Sequence, residues 1–158
     1  VEKINKKINI KIFKKRIDNK NIEKIAKNYQ IICDGTDNFK SRFLINDYCI
    51  KNKKILISSA INKFDGQLFV FNFKEKTPCF RCFMPEAPSQ ELNCETDGIM
   101  TTLAGIAGSL QANEVIKSIL NIKNSVNGNI MIFNALNSSF RKVKLLKNPN
   151  CKNISIHG

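Results

Sequence analysis

A chain of 158 residues is long enough for one domain with a substantial core, and no apolar run in it approaches the roughly 20 residues that span a bilayer. The formal charge is +13, yet roughly two residues in five are Lys, Asn or Ile, and the lysines are scattered apart from a cluster between Lys3 and Lys27. No basic stripe interleaved with aromatic residues is present, which argues against specific nucleic-acid binding and for general attraction to acidic partners.

The chain starts at Val1 in what reads as a helix end running into a strand, an odd opening that implies missing sequence upstream. Ile8, Ile10 and Ile12 alternate with Asn9, Lys11 and Phe13, which predicts a strand over 8–13 with one buried face. Ile22, Ile25 and Ala26 recur at helical spacing within 19–28. Residues 29–34 (YQIICD) form a short apolar run suited to a parallel strand buried on both faces. The polar turn from Gly35 to Asn38 then starts a helix over 38–52, and 54–59 (KILISS) is a second buried strand. Strands and helices alternating at this length imply a parallel sheet with helices on both faces.

After Ala60 the pattern changes. Asp65-Gly66 leads into a strand over 67–73, and three prolines make 76–98 a long loop of the functional kind. A long helix over 101–121 should bury Leu103, Ile106, Ala107, Leu110, Val115, Ile116, Ile119 and Leu120, with Gly105 and Gly108 allowing close backbone approach. Asn127-Gly128 and Asn137-Ser138 bracket an antiparallel pair over 129–135 and 139–146. The fold class is therefore α/β: a Rossmann-like sheet, helices on both faces, continuing into an antiparallel extension.

Four motifs carry chemistry. Cys79-Phe80-Arg81-Cys82 is half of a tetrahedral zinc site, since that spacing lets one tight turn aim two sulfurs at one ion, and Cys151 sits downstream behind its own Asn148-Pro149-Asn150 turn. Ile154 occupies the position where a second Cys-x-x-Cys would place its second thiol. Either His157, the only histidine, completes the set, or a water or partner does, or the site has decayed. Asp37, at the carboxyl end of a parallel strand and the amino end of a helix, suits a magnesium ion beside a bound phosphate; the alternative is that Asp37 or Asn38 caps the helix. Arg42 and Asn46 share a helix face and either support that turn, reach a ligand or face solvent. Cys94, just before the long helix, is a candidate nucleophile, opposed by the charges of Glu91, Glu95 and Asp97 and by the plain reading as a surface or metal-bound cysteine. Cys33 and Cys49 read as packing residues. Six cysteines with no disulfide pattern and no signal peptide imply a reducing, cytoplasmic setting.

In this order the motifs resemble the ThiF/MoeB/HesA-type adenylyltransferases of ubiquitin-like sulfur carriers, related to ubiquitin-activating enzymes. The resemblance rests on the 34–38 turn (DGTDN), Arg42, Asn46, Ser59-Ala60, Asp65-Gly66-Gln67, Pro78 to Cys82, Cys94, Gly98, the 105–117 helix (GIAGSLQANEVIK) and Asn148 to Cys151. It covers almost the whole chain. It implies ATP with magnesium, adenylation of the carboxyl-terminal glycine of a β-grasp carrier of the molybdopterin or thiamine type, and a homodimer. It further implies that Asp37 is the magnesium ligand, that Asp37, Asn38 and Arg42 lie at the nucleotide, and that Cys94 is the loop cysteine which in some members links to the carrier. Cys79, Cys82 and Cys151 match three of four zinc ligands.

Two departures stand out. No Gly-x-Gly-Gly-x-Gly turn occurs in the sequence, so residues 1–158 read as a single domain equivalent to the carboxy-terminal two-thirds of the adenylation domain. Without the glycine loop's stabilisation of the α-phosphate, the segment alone is expected to adenylate poorly, or to serve as a non-catalytic carrier-binding or dimerisation module. The fourth zinc ligand is also missing.

Overall fold

The computed structural model of the chain describes residues 3–88, 98–123 and 126–153. Strands β1 (Ile31–Asp34), β2 (Ile55–Asn62), β3 (Asp65–Asn72), β4 (Asn129–Asn134) and β5 (Ser139–Lys144) lie side by side in chain order in one sheet. β1 and β2 run parallel, and the remaining neighbours are antiparallel. Helices α1 (Ile22–Ala26), α2 (Phe39–Lys51), α3 (Phe80–Phe83) and α4 (Thr102–Ile119) complete the described residues. The mixed α/β class is thus as expected, with the parallel part reduced to one strand pair.

The side-chain period of a strand sorts the core onto two faces. Leu56 of β2 and Phe69 and Phe71 of β3 join Ile45, Tyr48 and Cys49 of α2 in one cluster, together with Cys79, Phe80 and Cys151. Their neighbours Ile57, Leu68 and Val70 point the other way, against Leu110 and Val115 of α4. One sheet therefore holds α2 and the cysteines on one side and α4 on the other. Gly66 is fixed by close approach: it lies opposite Phe133 in the β3–β4 register, and any Cβ there would overlap the buried Phe133 ring.

Four expectations fail. Residues 8–13 form no strand, and Ile8, Ile10, Ile12 and Phe13 are exposed. Their alternation has no partner to act on, because β1 pairs only with β2 among the described residues. Cys33 is exposed, since β1 is short and lies at the sheet edge, whereas Cys49 is buried as expected. On α4, a Cβ at Gly105 or Gly108 would meet nothing within 4 Å, so neither serves close packing. The buried stripe of α4 is also displaced: Leu103 and Ala107 are buried, Leu110 and Val115 partly so, while Ile106, Ile116, Ile119 and Leu120 are exposed. Glu114 is buried in their place, its carboxylate 2.7 Å from Lys117 Nζ.

Candidate functional site

Asp34 ends β1 and is almost completely buried, so its carboxylate must be met by donors. Oδ1 accepts from the Thr36 backbone N–H at 2.9 Å and from Thr36 Oγ1 at 2.7 Å; Oδ2 accepts from Ser58 Oγ at 2.7 Å. Arg42 Nε stands 3.6 Å from the same carboxylate, and Arg42 Nη2 donates to the carbonyls of Thr36 at 2.6 Å and Ser59 at 3.4 Å. Arg42 is therefore a buried support of the turn rather than part of a solvated face. From the opposite side of the sheet, Gln111 Nε2 donates to the carbonyls of Asp34 at 3.0 Å and Ile57 at 2.8 Å, joining α4 to the carboxyl ends of β1 and β2.

This frame sets the next residues. Asn38 caps α2, its side-chain oxygen accepting from the Ser41 N–H at 2.9 Å. With the cap supplied by Asn38, Asp37 stands exposed three residues beyond the strand end. The hydrogen bond from Asn38 Nδ2, with smaller contributions that include the charges of Arg16 and Arg42, holds the Asp37 carboxyl below the usual carboxylate range. It is ionised at neutral pH and open to a cation. Beside it a cleft of about 580 Å³ runs between the 16–22 segment and α2, with Arg16, Lys40 and Lys51 on its walls.

The sulfur cluster sits farther along α2. Cys79 precedes α3, and the Cys82 N–H returns to the Cys79 carbonyl at 3.0 Å, closing the tight turn that the spacing implies. Cys151 follows a turn in which the Asn150 N–H donates to Asn148 Oδ1 at 2.8 Å. The three Sγ atoms lie within 4.8 Å of one another, with Cys79 and Cys151 at 3.8 Å. Four sulfurs at about 2.3 Å around one zinc would be about 3.8 Å apart, so the donor set fits three corners of that tetrahedron. Burial, then the nearby Cys82 and Cys151 sulfurs, pushes the Cys79 thiol well above its ordinary value, and burial raises Cys151. An ion must displace their protons to bind, so affinity falls with falling pH.

Two α2 residues brace this cluster. Asn46 is fully buried and its Oδ1 accepts the Phe80 N–H at 3.0 Å. Asp47 accepts a forked pair from Arg81, at 2.8 Å from Nε to Oδ1 and 2.8 Å from Nη2 to Oδ2, and a third bond from Asn153 Nδ2 at 3.0 Å. One carboxylate thus ties the turn of Cys79 and Cys82 to that of Cys151. Burial alone would raise the Asp47 pKa, but the bonds from Arg81 and Asn153 and the guanidinium charge outweigh it and hold the group below its ordinary value. A carboxyl depressed in the folded state contributes stability that is complete above the unfolded pKa of about 3.9 and is lost as pH falls through the folded one. Urea midpoints measured from pH 6 down to about pH 2 should accordingly fall less steeply in Asp47→Asn than in wild type.

The structure therefore brings Cys79, Cys82 and Cys151 together and places Asp37 and Asn38 in one turn at a strand end, with Arg42 reaching that turn from the start of α2. Cys94 and His157 lie outside the described residues. Asp34, Asp47 and Gln111 were missed. Arg81 and Asp47 gave no local sign of their pairing, being 34 positions apart. Gln111 did: it lies four residues after Ala107 and eight after Leu103, on the stripe that is in fact buried.

The sequence matches the ThiF family over residues 1–153. It is 40% identical over 140 residues to a probable molybdopterin-synthase adenylyltransferase of Pyropia yezoensis, covering 87% of this chain and 37% of that protein. It is 32% identical over 157 residues to the sulfur carrier protein adenylyltransferase of Thermus thermophilus, covering 96% of this chain and 58% of the other. The chain thus spans between about a third and three-fifths of the length of these curated relatives. Among solved structures, Escherichia coli MccB with ATP shares the fold at a TM-score of 0.76 and 15% identity, covering 96% of this chain and 47% of that one.

Proposed function

The chain belongs to the ThiF family, and we propose that it is the part of an ATP-dependent adenylyltransferase that presents Asp37 to magnesium-bound nucleotide. The substrate is the carboxyl-terminal glycine of a ubiquitin-like sulfur carrier of the molybdopterin or thiamine type. The observation that carries this reading is the exposed, ionised Asp37 at the carboxyl end of β1, its turn locked by Asp34 and Arg42. Magnesium, when bound, offsets charge on the triphosphate. The amino end of the 13-residue α2 favours an anion at the same place, and Arg16 adds positive charge nearby. The carrier carboxylate attacks the α-phosphorus and pyrophosphate leaves, giving a mixed anhydride with AMP. Cys94 is the proposed acceptor of the carrier's acyl group, with AMP as leaving group. Cys79, Cys82 and Cys151 hold zinc away from the reacting atoms.

ATP–pyrophosphate exchange in the presence of a β-grasp carrier tests the proposal. Asp37→Ala is expected to lower the exchange rate about 100-fold, the scale of losing one charge-stabilising group. An unchanged rate removes Asp37 from the mechanism.

A second reading rests on the exposed apolar end of α4, where Ile116, Ile119 and Leu120 face outward. On that reading the segment binds the carrier without chemistry, and a carrier titration shows binding while exchange stays at background. The cytosolic homodimer that goes with the family resemblance is proposed on the same terms. It is supported by the exposed apolar Ile116, Ile119, Leu120 and Ile122, and no helix among the described residues is long and apolar enough to cross a membrane.

A further inference from the structure

We propose that the cleft between the 16–22 segment and α2 is a docking groove for an extended acidic segment of another protein, with a carboxylate at each end and an apolar side chain between. The cleft holds about 580 Å³, within the range of ligand sites. Lys40, Leu44, Tyr48 and Lys51 line one wall. Their steps of four, four and three put them on a single face of α2, with a lysine at either end and apolar groups between. Lys40 and Lys51 are exposed, whereas Ile22, Phe43 and Tyr48 are buried and Ile17 and Leu44 partly so. The groove therefore has an apolar floor and cationic ends in water.

Charge decides what kind of segment fits. Among the lining residues, Asp47 is already matched by Arg81, whose Nη2 stands 2.8 Å from it. Arg16, Lys40 and Lys51 then outnumber Asp18, which accepts from the Lys20 and Asn21 N–H groups at 2.8 and 3.0 Å. The chain that supplies the other wall adds to the imbalance, since residues 14–27 carry six basic side chains against Asp18 and Glu23. The eleven steps from Lys40 to Lys51 rise about 16 Å, at 1.5 Å each. That exceeds the Debye length of about 8 Å at physiological salt, so one carboxylate cannot serve both lysines. An extended chain advances about 3.3 Å per residue, which sets the two acids about five residues apart, with the anchor side chain over Leu44 and Tyr48. The net charge of +13 steers such a partner toward the chain.

The test follows the amide resonances of the whole chain as an end-capped peptide is added, with glutamates about five residues apart and one leucine between them. Saturable shifts confined to residues 16–22 and 38–51 are expected. Lys40→Glu and Lys51→Glu should each weaken binding at least about threefold, and Leu44→Gln by a similar factor. A peptide with lysine in place of glutamate should not bind. Absence of saturable shifts, shifts centred elsewhere, equal binding of the lysine peptide, or a Lys51→Glu chain that binds as tightly as wild type overturns the proposal. Displacement of the bound peptide by ATP with magnesium overturns it too, because that assigns the cleft to nucleotide. The peptide titration itself contains no nucleotide, so its failure leaves the pyrophosphate-exchange test of the adenylation reading unaffected.

Discussion

Asp34→Ala is expected to destabilise the protein by about 3–5 kcal/mol, the cost of removing one partner from a buried ionic pair. The carboxylate lies 3.6 Å from Arg42 Nε, and it also accepts from Thr36 and Ser58. Truncation leaves the guanidinium in place with its charge less compensated, and it frees three donors, the Thr36 N–H, Thr36 Oγ1 and Ser58 Oγ. Asp34→Asn keeps the shape and part of the hydrogen bonding, so its loss should be smaller. Urea denaturation read by circular dichroism measures both. Equal stability of Asp34→Ala and wild type would show that the turn stands without this residue, and with it would go the account of how Asp37 is held.

Phe80→Ala should cost a similar about 3–5 kcal/mol, in the range of large aromatic truncations in a close-packed core. The ring is 2% exposed and lies where α2, β3 and α3 meet. Its centroid is 5.6 Å from Phe43, 5.6 Å from Phe69 and 6.1 Å from Phe83, and the Arg42 guanidinium carbon is 5.7 Å above it. No neighbour can collapse into the gap without breaking a contact with another, so a cavity remains. Phe80→Leu, which refills part of the volume, should recover roughly half of the loss. Thermal and urea unfolding read these differences directly, and a Phe80→Ala variant within about 1 kcal/mol of wild type would mean that the rings repack freely.

Much of the site was legible because it rests on local chemistry. A two-residue spacing between thiols, an acidic turn after an apolar run and an Asn at a helix start each act within a few residues, so the sequence displays them. Burial across elements is different. Ile8, Ile10 and Ile12 have the alternation of a strand, but a strand exists only where a neighbour takes its hydrogen bonds. Gln111 and Glu114 are polar, which hid them on a stripe defined by apolar residues; counting every fourth position from Leu103 would have exposed Gln111. The roles of Arg42 and Asn46 were open for the same reason. Equal spacing placed them on one face, and only the packing of β2 and α3 decided that this face is inward.

Helix α2 is a single rigid bar of about 20 Å, at 1.5 Å per residue over 13 residues. Its first turn is fastened to the acidic corner by Arg42, and one turn later Asn46 and Asp47 grip the sulfur knot. Any displacement of the three sulfurs, such as oxidation of a thiol would bring, would therefore pass along this lever to the carboxylate at its head. A metal ion held by the three sulfurs would act on the distant corner through the helix alone, without either group touching the other.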